Sequence, residues 1–209
     1  MKRTSAQILR EYGPYPGITK VNGVSYDGTR IWVATGDTLK ALDPVSGNSV
    51  RTLNVPAHAG TAFDGQHLFQ ISADRIQKID PNTGGIISSI PTPEGGASGM
   101  AWAEGSLWVG NHRCRKIHQI DPETGVVLRT IESNRFVTGV TWVGDELWHG
   151  TWEGEESELR RVDPKSGKVI EQIDMPPGIT ISGLESDGGD IFFCGGGNSG
   201  KVRAVRRTQ

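Results

Sequence analysis

Asp-Pro recurs along this chain at Asp43-Pro44, Asp80-Pro81, Asp121-Pro122 and Asp163-Pro164, in steps of 37, 41 and 42 residues. A glycine follows shortly after each, at Gly47, Gly84, Gly125 and Gly167. Proline presets one turn dihedral and glycine supplies a left-handed one, so each unit reads as a tight reversal. A period near 40 residues made of short strands is the signature of propeller blades rather than of a helical solenoid. The third copy shows that four strands fit in a period: "GMAWAEG", "SLWVGN", "KIHQIDP" and "VVLRTIE", here strands a to d. Aromatics repeat at fixed register, Tyr26 with Trp32, Phe63 with Phe69, Trp102 with Trp108 and Trp142 with Trp148. They read as packing between blades. The fifth copy keeps Phe192 and has Ser186 at the earlier place.

The two ends set the number of blades. The last copy, "SGLESDGGDIFFCGGGNSGKVRAVRR", supplies only three strands. The opening "AQILREYG" looks like a detached strand d, comparable with "VVLRTIES". Pairing the first strand with the last closes a ring and covers otherwise open strand edges. The expectation is an all-β, five-bladed β-propeller with four-stranded antiparallel blades, forming a single domain over residues 1–209. Blades are expected near 17–55, 56–93, 94–133, 134–176 and 177–209, the last completed by residues 4–12.

Composition agrees with this class. Glycine, at 29 of 209 residues, is about twice its usual share, as a protein rich in strand turns requires. The formal net charge of −2 gives no footprint for nucleic acid. No apolar stretch has signal-peptide or membrane-spanning length, so a cytoplasmic protein with no membrane partner is expected. Cys114 and Cys194 are expected to be free thiols in a reducing compartment, with Cys194 in the core.

In such a ring the a–b and c–d turns share one end, and the b–c and d–a connections share the other. The first set is short and repetitive. The second is not: from the strand-b aromatic to the Asp of Asp-Pro takes 11, 11, 13 and 15 residues in the first four copies, and 14 to Arg206 in the fifth. Insertions gathered on one face mark a binding face. The third copy's enlarged connection is basic, with His112, Arg113, Cys114, Arg115 and Lys116. The fourth, running from His149 to Glu158, is acidic and carries Trp152, Glu153, Glu155 and Glu156. Two readings stand side by side: surface ion pairs worth under about 1 kcal/mol each, or a mouth that reads a ligand of mixed charge.

The candidate catalytic residues are His112, His149 and Glu153, suited to acid–base work. Candidate binding residues are His58, Arg113, Cys114, Trp152 and Asn198. A divalent metal such as magnesium could sit on His149 and Glu153, although the spacing matches no ligand signature. Cys114 lies among cations that favour a thiolate, which makes it a candidate nucleophile or redox thiol. His67 and His118 fall on the repetitive framework. "GGGNSGKV" matches phosphate-loop patterns in its letters, but a strand follows where those motifs need a helix.

The phrase from Gly105 to Ile131, with Leu107-Trp108-Val109 and Ile120-Asp121-Pro122, resembles the streptogramin-lyase-like bacterial propellers with NHL/YVTN-type repeats. Members of that group have seven blades and use histidine, glutamate and magnesium to open a lactone by elimination. The blade phrase "GTWEGEESELRRVDPKSGKV" is similar to that of the plant-type glutaminyl cyclases, which the expected five blades also match. These resemblances imply a small-molecule enzyme of lyase or cyclase type with its site at the b–c/d–a mouth. The alternatives are a non-catalytic propeller that binds a small ligand or peptide, and a glutaminyl-peptide cyclotransferase.

Overall fold

The computed structural model describes residues 1–207, so residues 208–209 of the expected fifth blade lie outside it. Two strands, β1 (Lys2–Ser5) and β2 (Ile8–Tyr12), precede the blades. Blade 1 is β3 (Gly23–Tyr26), β4 (Ile31–Ala34), β5 (Leu39–Leu42) and β6 (Ser49–Leu53). Blade 2 is β7 (Thr61–Phe63), β8 (Leu68–Ser72), β9 (Arg75–Ile79) and β10 (Ile86–Pro91). Blade 3 is β11 (Ala97–Ala103), β12 (Ser106–Asn111), β13 (Lys116–Ile120) and β14 (Val127–Glu132). Blade 4 is β15 (Val137–Val143), β16 (Glu146–Glu153), β17 (Glu156–Val162) and β18 (Val169–Asp174). Blade 5 is β19 (Gly183–Ser186), β20 (Ile191–Gly195) and β21 (Val202–Arg206), completed by β2. The fold is the expected five-bladed β-propeller, without a helix among the described residues.

The N-terminal segment does more than a single closing strand would. β2 pairs antiparallel with β21, from Ile8 opposite Val205 to Tyr12 opposite Val202. β1 does not belong to blade 5. It runs parallel to β18 as a fifth strand on blade 4, from Lys2 opposite Glu171 to Ser5 opposite Asp174. Arg3 reaches Asp174 at 2.7 Å and Lys2 reaches Glu171 at 3.1 Å. The step between the two blades is short because Ala6 donates its amide to Asp174, while the Gln7 carbonyl accepts from Arg206. Eleven residues, Lys2–Tyr12, therefore tie two blades together.

Five apolar clusters lie between neighbouring blades. One joins Trp32, Leu39 and Leu53 of blade 1 to Leu68 and Ile79 of blade 2, and the pattern repeats around the ring. The strand-b aromatics Trp32, Phe69, Trp108, Trp148 and Phe192 are at most 1% exposed. Trp102 stacks on Phe69 with centroids 5.5 Å apart, and Trp142 leans on Trp108 at 4.9 Å. Ser186 cannot do the same for Trp148, so Phe192 meets that ring at 5.0 Å.

At the axis the inner strands meet through Gly23, Gly60, Gly99, Gly139 and Gly183. A Cβ on Gly60 would lie 2.8 Å from Gly99 Cα, and one on Gly99 would lie 2.5 Å from Gly139 Cα. A Cβ on Gly183 would lie 2.9 Å from Gly23 Cα, and one on Gly23 the same distance from Gly60 Cα. Side-chain clasps reinforce the ring: Ser98 donates to the Val137 carbonyl at 2.8 Å, and Ser182 to the Val21 carbonyl at 2.5 Å. The Gly60 amide donates to Ser98 O at 2.6 Å.

Two outcomes follow for stability. Gly139→Ala forces a methyl into the backbone of blade 5 and is expected to cost about 3 kcal/mol or more, read from the urea midpoint. Deleting residues 1–12 removes both edge strands and is expected to abolish the cooperative thermal transition followed by circular dichroism. An unchanged melting temperature for the deletion would contradict the closure described above.

Candidate functional site

The b–c hairpin of blade 3 closes through four residues, 112–115, since Asn111 pairs with Lys116. Asn111 is fully buried and acts as the strut of this turn. Its Oδ1 accepts the Cys114 amide at 3.1 Å, and its Nδ2 donates to the Glu94 carbonyl at 2.6 Å. That second bond draws the preceding d–a connection against the turn. The result is a cleft of about 580 Å³ lined by Gly95, Gly96, Ala97, His112, Arg113 and Cys114. Gly95 has a positive φ of 93°, and a Cβ there would fall 2.5 Å from Cys114 Sγ. The wall opposite the thiol must therefore be bare backbone.

His112 stacks on Phe136, with centroids 4.6 Å apart and planes 18° from parallel. The Arg115 guanidinium lies 4.6 Å from the same ring. Burial, with help from Arg113, lowers the imidazole pKa below its ordinary value, so His112 is largely neutral at pH 7. Arg113 and Cys114 are exposed. Arg113 makes no ion pair among the described residues.

The fourth blade corrects the picture of a large acidic loop. Its extra length extends the ladder instead: Thr151 pairs with Glu158, Trp152 with Ser157 and Glu153 with Glu156, leaving a two-residue turn at Gly154 and Glu155. Strand alternation then sorts the side chains onto two faces. His149, Thr151, Glu153, Glu156, Glu158 and Arg160 face blade 3, while Trp152 points the other way. Trp152 is 40% exposed and donates its indole N–H to Gly154 O at 2.9 Å. The basic and acidic segments pair with each other. Arg115 reaches Glu153 at 3.3 Å, and Arg135 reaches Glu156 and Glu158, both at 3.4 Å. Arg160 reaches Glu158 at 2.7 Å and Asn134 at 2.6 Å. Glu153 also accepts the Phe136 amide at 3.1 Å, which fixes the ring under His112.

His149 sits elsewhere. It is 1% exposed, with Nδ1 3.2 Å from Gly150 O, and it opens onto a groove of about 390 Å³ lined also by Glu132, Ser133, Asn134 and residues 166–169. Burial pushes its pKa down to about 4, and Arg160 adds to the effect. His58 is exposed and its Nδ1 accepts the Ala73 amide at 3.1 Å. Asn198 is exposed in the turn joining β20 to β21. Thus His112, Arg113 and Cys114 share one cleft. Glu153 supports it from behind, and His149, His58, Trp152 and Asn198 lie outside it. Among the described residues, no group of three or more His, Cys, Asp or Glu side chains could hold a metal ion. His149 and Glu153, each engaged with its own neighbours, do not form one. Both cysteines are free, Cys194 buried in the core and Cys114 exposed; burial pushes the Cys194 thiol up to about 12.

The partners that shape this site were not visible as motifs. Arg135 and Phe136 become meaningful only once blades 3 and 4 are placed side by side, and Asn111 only once its turn meets the connection at Glu94. The one available signal was positional: Asn111 ends strand b, where Ser72 and Thr151 also place polar side chains.

No family model matches the chain, and no curated protein matches it in sequence. Solved structures do match. Glutaminyl cyclase of Myxococcus xanthus superposes with a TM-score of 0.80 over 98% of this chain and 97% of that one, at 18% identity. Hydrazine synthase of Kuenenia stuttgartiensis gives a TM-score of 0.54 over 85% of this chain and 55% of that one, at 18% identity. A chain of a mitotic checkpoint complex gives 0.54 over 90% and 78%, at 16% identity. At these identities the likeness shows the fold, a five-bladed propeller matched nearly end to end by a bacterial example.

The buried His149 carries a pH signature. Its folded pKa of about 4 lies below the value of about 6.5 expected when unfolded, so only the unfolded state takes up the proton between them. Stability is therefore lost as pH falls through that window. His149→Gln, borrowing the residue that blade 2 carries at Gln70, is expected to flatten the urea-midpoint profile between pH 6.5 and 4. Parallel profiles for the two proteins would contradict the buried, neutral assignment.

Proposed function

We propose that this protein is a ligand-binding propeller that takes a small molecule or peptide end bearing a carboxylate into the cleft between residues 95–97 and 112–114. The observation carrying this reading is the Arg113 guanidinium, which has no ion-pair partner among the described residues. It stands beside a neutral imidazole and a free thiol in a cleft of about 580 Å³. A guanidinium offers two parallel N–H donors to a carboxylate. The volume suits a small metabolite.

A second reading is cyclisation of an N-terminal glutaminyl residue. The near-complete fold match to a glutaminyl cyclase favours it, and His112 is in the protonation state needed to accept a proton from an attacking amine. In that reaction the amine nitrogen bonds to the side-chain carboxamide carbon, and ammonia leaves with the proton. Glu153 is bonded to the Phe136 amide and Arg115, so it acts as a positioning residue in either reading.

The test is calorimetric titration with a panel of carboxylates and short peptides, wild type against Arg113→Ala. Binding by the wild type and a loss of roughly tenfold or more in the variant, about 1.4 kcal/mol, is the expected result. Equal affinity in both proteins would remove Arg113 from the site. Incubating a glutaminyl peptide and following ammonia loss by mass spectrometry separates the readings: turnover abolished by His112→Gln selects the enzyme, and no turnover selects the binder.

A further inference from the structure

The groove beside His149, about 390 Å³ in volume, lies outside the cleft that carries Arg113. Two elements form its walls. One is the end of β14 with Ser133 and Asn134; the other is the c–d turn of blade 4 leading into β18. Gly167 seats that turn, with a φ of 70° and a Cβ position only 2.7 Å from Glu132 O. Asp163 holds the turn from within by accepting the Lys165 and Ser166 amides and the Ser166 hydroxyl. His149 comes up from β16 at a register where the other blades carry Val33, Gln70, Val109 and Phe193. Three of those four are apolar, and the Gln70 amide donates to two backbone carbonyls. Packing between blades therefore does not call for an imidazole here.

The bonds already made fix what each group has left to offer. The Gly150 carbonyl can only accept, so His149 Nδ1, 3.2 Å away, carries the proton and donates. Burial keeps the ring neutral at pH 7, which leaves a lone pair on Nε2. Nε2 has no hydrogen-bond partner among the described residues, yet it is not one of the side-chain atoms sealed from solvent without one. It therefore reaches open space, and the groove is the space that His149 lines. Asn134 Oδ1 accepts from the Arg160 guanidinium at 2.6 Å. A guanidinium only donates, so the amide is fixed and both its N–H groups remain. Ser133 Oγ accepts the Arg135 amide at 3.2 Å, and its own proton has no acceptor among the described residues. Glu132 and Lys168 also line the groove, both exposed and without an ion pair among the described residues.

A neutral acceptor on a 1% exposed side chain and neutral donors on the wall define the ligand. An anion would meet the Nε2 lone pair. An ammonium would have to leave water for an uncharged partner. A hydroxyl answers both kinds of group, since it donates one proton and accepts on two lone pairs. We propose that this groove is a second binding site, for a small neutral polyol of monosaccharide or cyclitol size, whose hydroxyls donate to His149 Nε2 and accept from Ser133 and Asn134. Further hydroxyls are taken by Glu132 and Lys168. The volume is that of a site for a small molecule.

Histidine side-chain nitrogen-15 spectra at pH 7, assigned through bonds, test this by titration with glucose, galactose, myo-inositol and sorbitol, and with glycine as a zwitterion. The expected result is a saturable upfield shift of His149 Nε2 with at least one polyol and none with glycine, the other histidines staying in place. Asn134→Asp keeps an acceptor for Arg160 and removes the two donors, so it is expected to weaken that binding roughly tenfold or more. Ser133→Ala is expected to weaken it less. An Nε2 that carries the proton would overturn the proposal, as would a resonance that no polyol moves or that glycine alone moves. Unchanged affinity in both variants would overturn it too. Should Asn134→Asp fail to fold, the wild-type titration and Ser133→Ala decide.

Discussion

The close approach of five backbones at the axis governs the rest of this structure. Gly23, Gly60, Gly99, Gly139 and Gly183 let each inner strand come within side-chain distance of the next. Only a residue lacking Cβ can stand there. The register between β11 and β12 shifts around residues 98–99, and that between β15 and β16 around residues 138–139, as expected where a strand bends to meet a neighbour. At that level the axis is closed by backbone, and the clefts described above lie between loops and blades.

The boundary between blades 3 and 4 shows how such a cleft is made firm. Between the sheets it is apolar, with Trp108, Ile117 and Ile131 packed with Leu147 and Val162. Toward the mouth it becomes a ladder of charge. The exposed members of that ladder contribute little individually, under about 1 kcal/mol each. The Glu158–Arg160 pair is buried, with side chains 6% and 7% exposed, so its desolvation offsets much of its attraction. What the ladder supplies is position: Glu153 holds the Phe136 amide, Phe136 carries the His112 ring, and Asn111 ties the His112 turn to the connection bearing Gly95. A surface feature of modest energy thereby sets the geometry of the cleft.

The architecture was legible because it is written in repeated, local chemistry. The Asp-Pro turns, the paired aromatics and the strand-like N-terminus each follow from short-range rules, and ring closure follows from counting. The glycine ring was equally regular, always three residues before the strand-a aromatic or Ser186, yet glycine is so common here that its period is hidden among turns. The extended β16–β17 ladder could not be told from a loop because Gly154 interrupts it and its charges resemble solvent. The separation of His149 from Glu153 follows from the strand itself: the two share a face of β16, but four residues at about 3.3 Å rise put them roughly 13 Å apart. The neighbouring blade then supplies partners for Glu153 and walls in His149. The fifth strand on blade 4 depends on Lys2 and Arg3 finding Glu171 and Asp174, contacts between residues some 170 positions apart.

Acid–base catalysis usually rests on two titratable groups whose environments push their pKa values apart while both face the reacting atoms. In the cleft described here one such group, His112, is present. The carboxylate nearest to it in the fold is turned away and held by an amide and a guanidinium. The second histidine is buried in another groove. A guanidinium without a partner, by contrast, is poised to bind, because a charge at a protein surface gains most from a ligand when no internal carboxylate competes for it. Occupied carboxylates beside a cation with no ion-pair partner among the described residues are the arrangement on which the proposed ligand-binding reading rests.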